Sequence, residues 1–146
     1  MQENAQENTT HQEVTITFDD LKLKKEVLQA VKYAGFTTPS PIQADAIPFV
    51  LDGRDMVAQA HTGTGKTAAF GLPAISMMKL NAGVQMLVIT PTRELATQVS
   101  DELFKYGRNL GLRTVTVYGG SSYKRQLDLI ERGANIVVAT PGRLLD

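Results

Sequence analysis

Residues 56–78 read Met-Val-Ala-Gln-Ala-His-Thr-Gly-Thr-Gly-Lys-Thr-Ala-Ala-Phe-Gly-Leu-Pro-Ala-Ile-Ser-Met-Met. Within it, 56–60 is a short apolar run with the look of a buried strand. Gly63 and Gly65 mark a turn, and a helix is expected from about residue 66 to 78. The same unit recurs toward the C-terminus. Residues 84–90 read as a strand followed by a helix over about 93–109, and 114–118 as a strand followed by a helix over about 122–131. A fourth strand is expected at 136–140, with Pro141 and Gly142 opening the segment after it. Strands that alternate with helices of roughly 10–18 residues point to an α/β fold, a parallel sheet with helices on both faces. Right-handed crossovers would bring all four strand C-termini to one edge, and ligands of such sheets bind outside that edge.

Toward the N-terminus, Leu23, Val27, Ala30, Val31 and Ala34 recur at helical spacing, with Gly35 placed to stop a helix. Ser40 and Pro41 suit the N-cap and first residue of a second helix, running to about residue 51. Pro48 falls inside it and is expected to kink or shorten it, and Asp52-Gly53 is a turn signal. Residues 1–13 are Gln, Glu, Asn and Thr with almost nothing to bury. They are expected to be a disordered tail, leaving 14–146 as one folded unit.

The glycine-rich turn fits a phosphate-binding loop, with Ala60 at the position where glycine is usual. Gly63 and Gly65 can adopt conformations that a Cβ would block, so successive N–H groups point at phosphates. The helix starting near Lys66 aims its positive end at the same place. Lys66 supplies a mobile charge for the β- and γ-phosphates, and the Thr67 hydroxyl is a ligand for Mg²⁺. His61 reads as a solvent-facing spacer between Ala60 and Thr62. A glycine turn that merely joins strand to helix is the bland alternative. By itself the loop does not separate kinases, GTPases, transport ATPases and helicases.

Composition narrows the classes. The chain has 146 residues, 42% hydrophobic and 21% charged, and 15 basic residues balance 15 acidic ones. That is ordinary for a globular domain. No run of Lys or Arg could hold nucleic acid by bulk electrostatics, so any such binding must use a few positioned groups. With no cysteine, disulfides and thiolate metal sites are excluded. The first residues show no basic patch followed by an apolar stretch, and nothing approaches the ~18 apolar residues of a membrane span. A cytoplasmic setting is expected.

Gln43 lies upstream in Phe36-Thr37-Thr38-Pro39-Ser40-Pro41-Ile42-Gln43. A side-chain amide can donate to one edge atom of adenine and accept from another, a pattern that guanine reverses. Taken alone, Gln43 is equally an exposed helix residue. The string around it changes the reading. Phe18, Gly35-Phe36, Pro39 and Ile42-Gln43 match the spacing of the Q motif, and 60–67 resembles motif I, of DEAD-box ATP-dependent RNA helicases. Alanine commonly begins that family's loop, so Ala60 fits. The resemblance implies a RecA-like phosphate-loop fold, ATP and Mg²⁺ as cofactors, stacking of Phe18 on adenine, base recognition by Gln43, and Thr38 against the nucleotide.

Three later loops match the family in order. Pro91-Thr92-Arg93 resembles motif Ia, Gly119-Gly120 the glycine doublet, and Thr140-Pro141-Gly142-Arg143 motif Ib. The resemblance implies that these grip the sugar-phosphate backbone of RNA. Each also sits at an expected strand C-terminus and opens a helix, so each offers N–H groups and a positive dipole end to an anion. Thr92 suits an N-cap, Arg93 lies near it for a phosphate, and Arg143 could grip one bidentately. Backbone contacts carry no base identity, so no sequence preference is expected. Each loop alone could be an ordinary helix start or turn.

The sequence departs from the family by stopping before the Asp-Glu-Ala-Asp motif. In the family that motif holds Mg²⁺ and positions the attacking water, and a second domain completes both sites. The expectation is therefore that the 146 residues alone neither hydrolyse ATP at a useful rate nor fold with more than marginal stability. The alternative to a helicase segment is a truncated, non-catalytic nucleotide- and RNA-binding fragment.

Overall fold

Three strands, β1 (Met86–Ile89), β2 (Thr114–Val117) and β3 (Ile136–Ala139), form one parallel sheet in the computed structural model, which describes residues 15–146. The tail expected over 1–13 lies outside the described residues. The strand order is β1-β3-β2, with Met86 and Thr114 both opposite Ile136. Position in the sheet follows from sequence. Ile-Val-Val-Ala of β3 has no polar residue to offer solvent, and all four are buried. The Thr-Val-Thr-Val of β2 alternates, burying only its valines.

Six helices complete the fold: α1 (Lys25–Tyr33), α2 (Pro41–Leu51), α3 (Lys66–Met77), α4 (Arg93–Gly107), α5 (Tyr123–Glu131) and α6 (Pro141–Leu145). Short 3-10 turns occupy Phe18–Leu21 and Arg108–Leu110. The chain passes from β1 to β2 across β3 and then returns to β3. Because the direction along the sheet reverses, two right-handed crossovers must lie on opposite faces. The packing agrees. Ile136 and Val138 meet Ala96, Val99 and Leu103 of α4, with Leu72 and Ile75 of α3 and Val27 and Val31 of α1 in the same core. Val115, Val117, Val137 and Ala139 face the other way, toward Ile130 of α5.

Local signals account for the helix ends. Gly35 takes φ +83° after α1, and the Phe36 N–H reaches back to the Val31 carbonyl (3.1 Å), the Schellman closure. Lys24 joins α1 to α3, its backbone N–H donating to Ser76 Oγ (2.6 Å) and its ammonium to the Met78 carbonyl (3.1 Å). Pro48 neither ends nor shortens α2, which runs to Leu51 as expected. Gly71 allows α3 and α4 to approach, since a Cβ there would come within 2.6 Å of Leu103 Cδ2.

One expected element does not form. Residues 56–60 are not a strand, and Val57 is fully exposed. A strand is defined by its ladder, and no described strand lies beside this segment. The parallel sheet therefore has three strands where four were expected. Leu87 and Ile89 on the β1 edge remain more than half exposed for the same reason.

Candidate nucleotide cleft and nucleic-acid edge

Gly71 faces Leu103 and Tyr106, and Gly107 faces Ile75. Helices α3 and α4 therefore run side by side in the same direction, which brings the loop before Lys66 to the edge where Thr92 stands. The other two strand ends share that edge because the sheet is parallel.

At the loop, Gly63 and Gly65 both adopt φ +80°, in the left-handed region that glycine tolerates. The first helical bond of α3 runs from Ala69 N–H to the Gly65 carbonyl (3.1 Å), so the preceding N–H groups are directed outward at the helix start. Thr64 donates its hydroxyl to the His61 carbonyl (2.6 Å). Ser40 donates its own to the Thr64 carbonyl (2.7 Å), fastening the loop to the start of α2. Lys66 is exposed at the first residue of α3, and Thr67 beside it is half-buried. Among the described residues no group of three His, Cys, Asp or Glu could hold a metal.

Gln43 is buried, at 5% exposure, between these elements. Its Oε1 accepts from the Ser40 N–H (3.0 Å), and its Nε2 donates to the Gly65 carbonyl (3.2 Å). An amide carries two donor hydrogens and two acceptor lone pairs, so one of each is left over. A Cβ on Gly65 would collide with the Gln43 amide nitrogen, which makes this glycine necessary twice over. The bond to Ser40 is one half of a capping box, and Ser-x-x-Gln at 40–43 was its sequence signature. Reading Ser40 only as a cap missed its hold on the phosphate loop.

A cleft of about 1110 Å³ opens over this arrangement, lined by Phe36, Thr38, Ser40, Gln43, Gly63 and Gly65 and running on toward Tyr106 and Arg108. Ala60, His61, Thr62, Lys66 and Thr67 do not line it. Phe18 does not either. It is 4% exposed, tucked into the core by the turn Phe18–Leu21, with its ring 6.4 Å from that of Phe36. Of the two upstream phenylalanines it is Phe36 that lines the cleft, together with Tyr33 and Tyr106, and Phe18 lies behind Phe36. Deeper in, Tyr106 donates to Glu102 (3.3 Å); burial above all, then the nearby carboxylate, pushes its hydroxyl well above the ordinary tyrosine range.

Along the sheet edge, Pro91, Thr92 and Arg93 are exposed, and Thr92 Oγ1 caps α4 by accepting from the Leu95 N–H (3.2 Å). The Arg93 guanidinium lies 5.2 Å over the Tyr118 ring, and a Cβ on Gly120 would come within 3.3 Å of its Nη1. Gly119 and Gly120 are exposed, Gly120 at φ +83°. Thr140 is half-buried, Pro141 and Gly142 exposed. Arg143 breaks the expected pattern. Its side chain is 14% exposed and turned inward, donating to the Ser121 carbonyl (3.0 Å) and to Gln126 Oε1 (3.1 Å). One terminal nitrogen of the fork expected to grip a phosphate is thus held by protein oxygens. Gln126 went unremarked because no motif marks it, although Tyr123 and Ile130 stand on the same face of α5.

Comparison with known proteins bears on the family and the fold. Residues 40–146 match the model of the DEAD/DEAH box helicase family. The chain is 59% identical over 130 residues to the DEAD-box ATP-dependent RNA helicase RhpA of Helicobacter pylori strain B128, covering 89% of this chain and 26% of that protein. It is 46% identical over 134 residues to the DEAD-box ATP-dependent RNA helicase CshA of Bacillus subtilis, covering 91% of this chain and 27% of that one. The crystal structure of a DEAD box protein from Methanococcus jannaschii superimposes with a TM-score of 0.86 at 42% identity, over 91% of this chain and 37% of the other. The chain thus spans about a quarter of the length of the curated relatives it matches.

Proposed function

The chain belongs to the DEAD/DEAH box helicase family, and we propose that it supplies the ATP cleft and part of the RNA groove of an ATP-dependent RNA helicase. Lys66 serves the β- and γ-phosphates, the Thr67 hydroxyl serves Mg²⁺, and the outward N–H groups of 63–67 cradle the phosphates. Gln43 reads adenine through its remaining donor and acceptor, with Thr38 and Phe36 on the cleft wall and Phe18 behind. Pro91, Thr92, Arg93, Gly119, Gly120, Thr140, Pro141 and Gly142 meet the sugar-phosphate backbone, with no preference for sequence. ATP binding in such a protein would favour a closed grip on RNA, and hydrolysis its release. A cytoplasmic setting accords with this reading. Among the described residues no helix is long and apolar enough to cross a membrane.

The observation that carries the reading is the placing of Gln43. The group suited to the base is hydrogen-bonded to the phosphate loop itself, so base and phosphates would be sensed by one connected unit. Calorimetric titration of the chain with Mg-ATP and Mg-GTP tests it. ATP should bind at least about tenfold more tightly, the value of one well-formed bidentate pair. Equal affinities, or a preference for GTP, would remove the adenine-reading role. Single-stranded RNAs of different sequence should bind within about threefold of one another at one salt concentration.

A further inference from the structure

The glycine pair at 119–120 has no side chains with which to hold its own loop, yet the carbonyls on either side of it are both captured. Gln126, buried at 6% exposure, donates from Nε2 to the Tyr118 carbonyl (3.0 Å) before the pair. Arg143 donates from Nη1 to the Ser121 carbonyl (3.0 Å) after it. The two side chains then join, with Gln126 Oε1 accepting from that same Nη1 (3.1 Å). Both hydrogens of Nη1 are thereby engaged. Nε faces the Asp146 carboxylate at 3.4 Å, and the guanidinium lies 5.8 Å over the Tyr123 ring.

We infer that Gln126 and Arg143 are positioning residues for the RNA edge, an interior amide–guanidinium strut that fixes the glycine loop against the start of α6. Arg143 acts from within the protein and not as a phosphate ligand. This rests on the RNA-binding reading above. The fork of a guanidinium grips phosphate through two adjacent donors, and here both hydrogens of Nη1 go to protein oxygens while Nε is buried without a hydrogen bond, beside the Asp146 carboxylate. Arg93 contrasts with it, exposed at the neighbouring loop and available to an anion.

The test uses the full chain and three variants: Gln126→Glu, Arg143→Lys and, for comparison, Arg93→Ala. Gln126→Glu keeps an acceptor for Arg143 and removes the donor to the Tyr118 carbonyl, so it is the mildest cut through the strut. Amide exchange at Gly119, Gly120 and Ser121 is measured by NMR, and oligouridylate binding is measured across a salt series. Gln126→Glu and Arg143→Lys should each speed loop exchange by about tenfold and weaken RNA binding by about five- to tenfold. The salt slope should stay unchanged, and so should Mg-ATP affinity. Arg93→Ala should lower the salt slope by about 0.7, the value of one single-strand phosphate contact. A loss of oligouridylate affinity in Arg143→Lys with loop exchange unaltered would make Arg143 a phosphate ligand and overturn the inference alone. Unchanged exchange in both strut variants would do the same. If the unmodified chain fails to bind oligouridylate at all, the RNA reading falls, and the positioning role with it.

Discussion

The glycine-rich loop before α3 and the three-stranded edge stand on the same side of the molecule, but they are held there by different means. The loops after β1, β2 and β3 leave a sheet whose strands pair in full register over two buried clusters. The phosphate loop leaves residues 56–60, which have no ladder, and it is fastened instead by Ser40, Gln43 and Thr64. A ladder distributes the work of fixing a loop over many backbone bonds. Three side-chain bonds concentrate it in residues that a nucleotide would also touch. Ligand binding and local order should therefore be coupled at the cleft and largely independent at the edge.

The largest expected effect is in hydrogen exchange. Among the described residues no amide of 56–60 donates a backbone hydrogen bond, whereas those of β3 lie in the centre of the sheet. Exchange at 56–60 should exceed that at Ile136–Ala139 by roughly a thousandfold, because β3 opens only with the whole fold. Saturating Mg-ATP should slow exchange at 61–67 and leave β3 nearly unchanged. Equal protection of the two segments would show that 56–60 has a partner and would end the contrast.

A smaller effect separates the two loop glycines. Gly63→Ala meets nothing within 4 Å and carries only the left-handed strain of its φ of +80°, costing about 1–2 kcal/mol. Gly65→Ala carries the same strain and also collides with the Gln43 amide, so the link between α2 and the loop must break. Losing that bond adds about 1 kcal/mol. Urea titration of both variants measures the difference, and Mg-ATP affinity should fall further for Gly65→Ala. Equal losses would mean that Gln43 does not fasten the loop.

How far the sequence was legible differs between the same two regions. The edge was well read as architecture: β1, β2 and β3 fall within the expected runs, and Thr92 caps α4 as its position suggested. Its side-chain chemistry was half read. Arg93 and Arg143 both come after a strand and a turn, and nothing in spacing shows that one lies outside while the other is folded onto Gln126. That depends on where α5 packs, a contact between residues far apart in the chain. The cleft was the reverse. Its motif residues could be named from their order alone, yet the strand before the loop was mistaken because an apolar run reveals a propensity and not a partner. Phe18 and Phe36 illustrate the same limit. Both are aromatic and upstream of Gln43, and only the packing of the turn Phe18–Leu21 decides which of them meets the cleft.

The smallest expected effect is at the far end of the cleft, at Tyr106 near the C-terminal end of α4. Its hydroxyl is pushed above the ordinary value of 10.0, mainly by burial and then by Glu102. The unfolded chain therefore loses this proton first as pH rises. The contribution of Tyr106 to stability is present in full below about pH 10 and declines above it, by at most about 1.4 kcal/mol per pH unit. Tyr106→Phe removes the titrating group at the expense of one partly buried hydrogen bond, about 0.5–1.5 kcal/mol at neutral pH. Between pH 10 and 11 the variant should lose less stability than the unmodified chain, so that the two curves converge. Parallel curves across that interval would mean that the hydroxyl meets solvent freely.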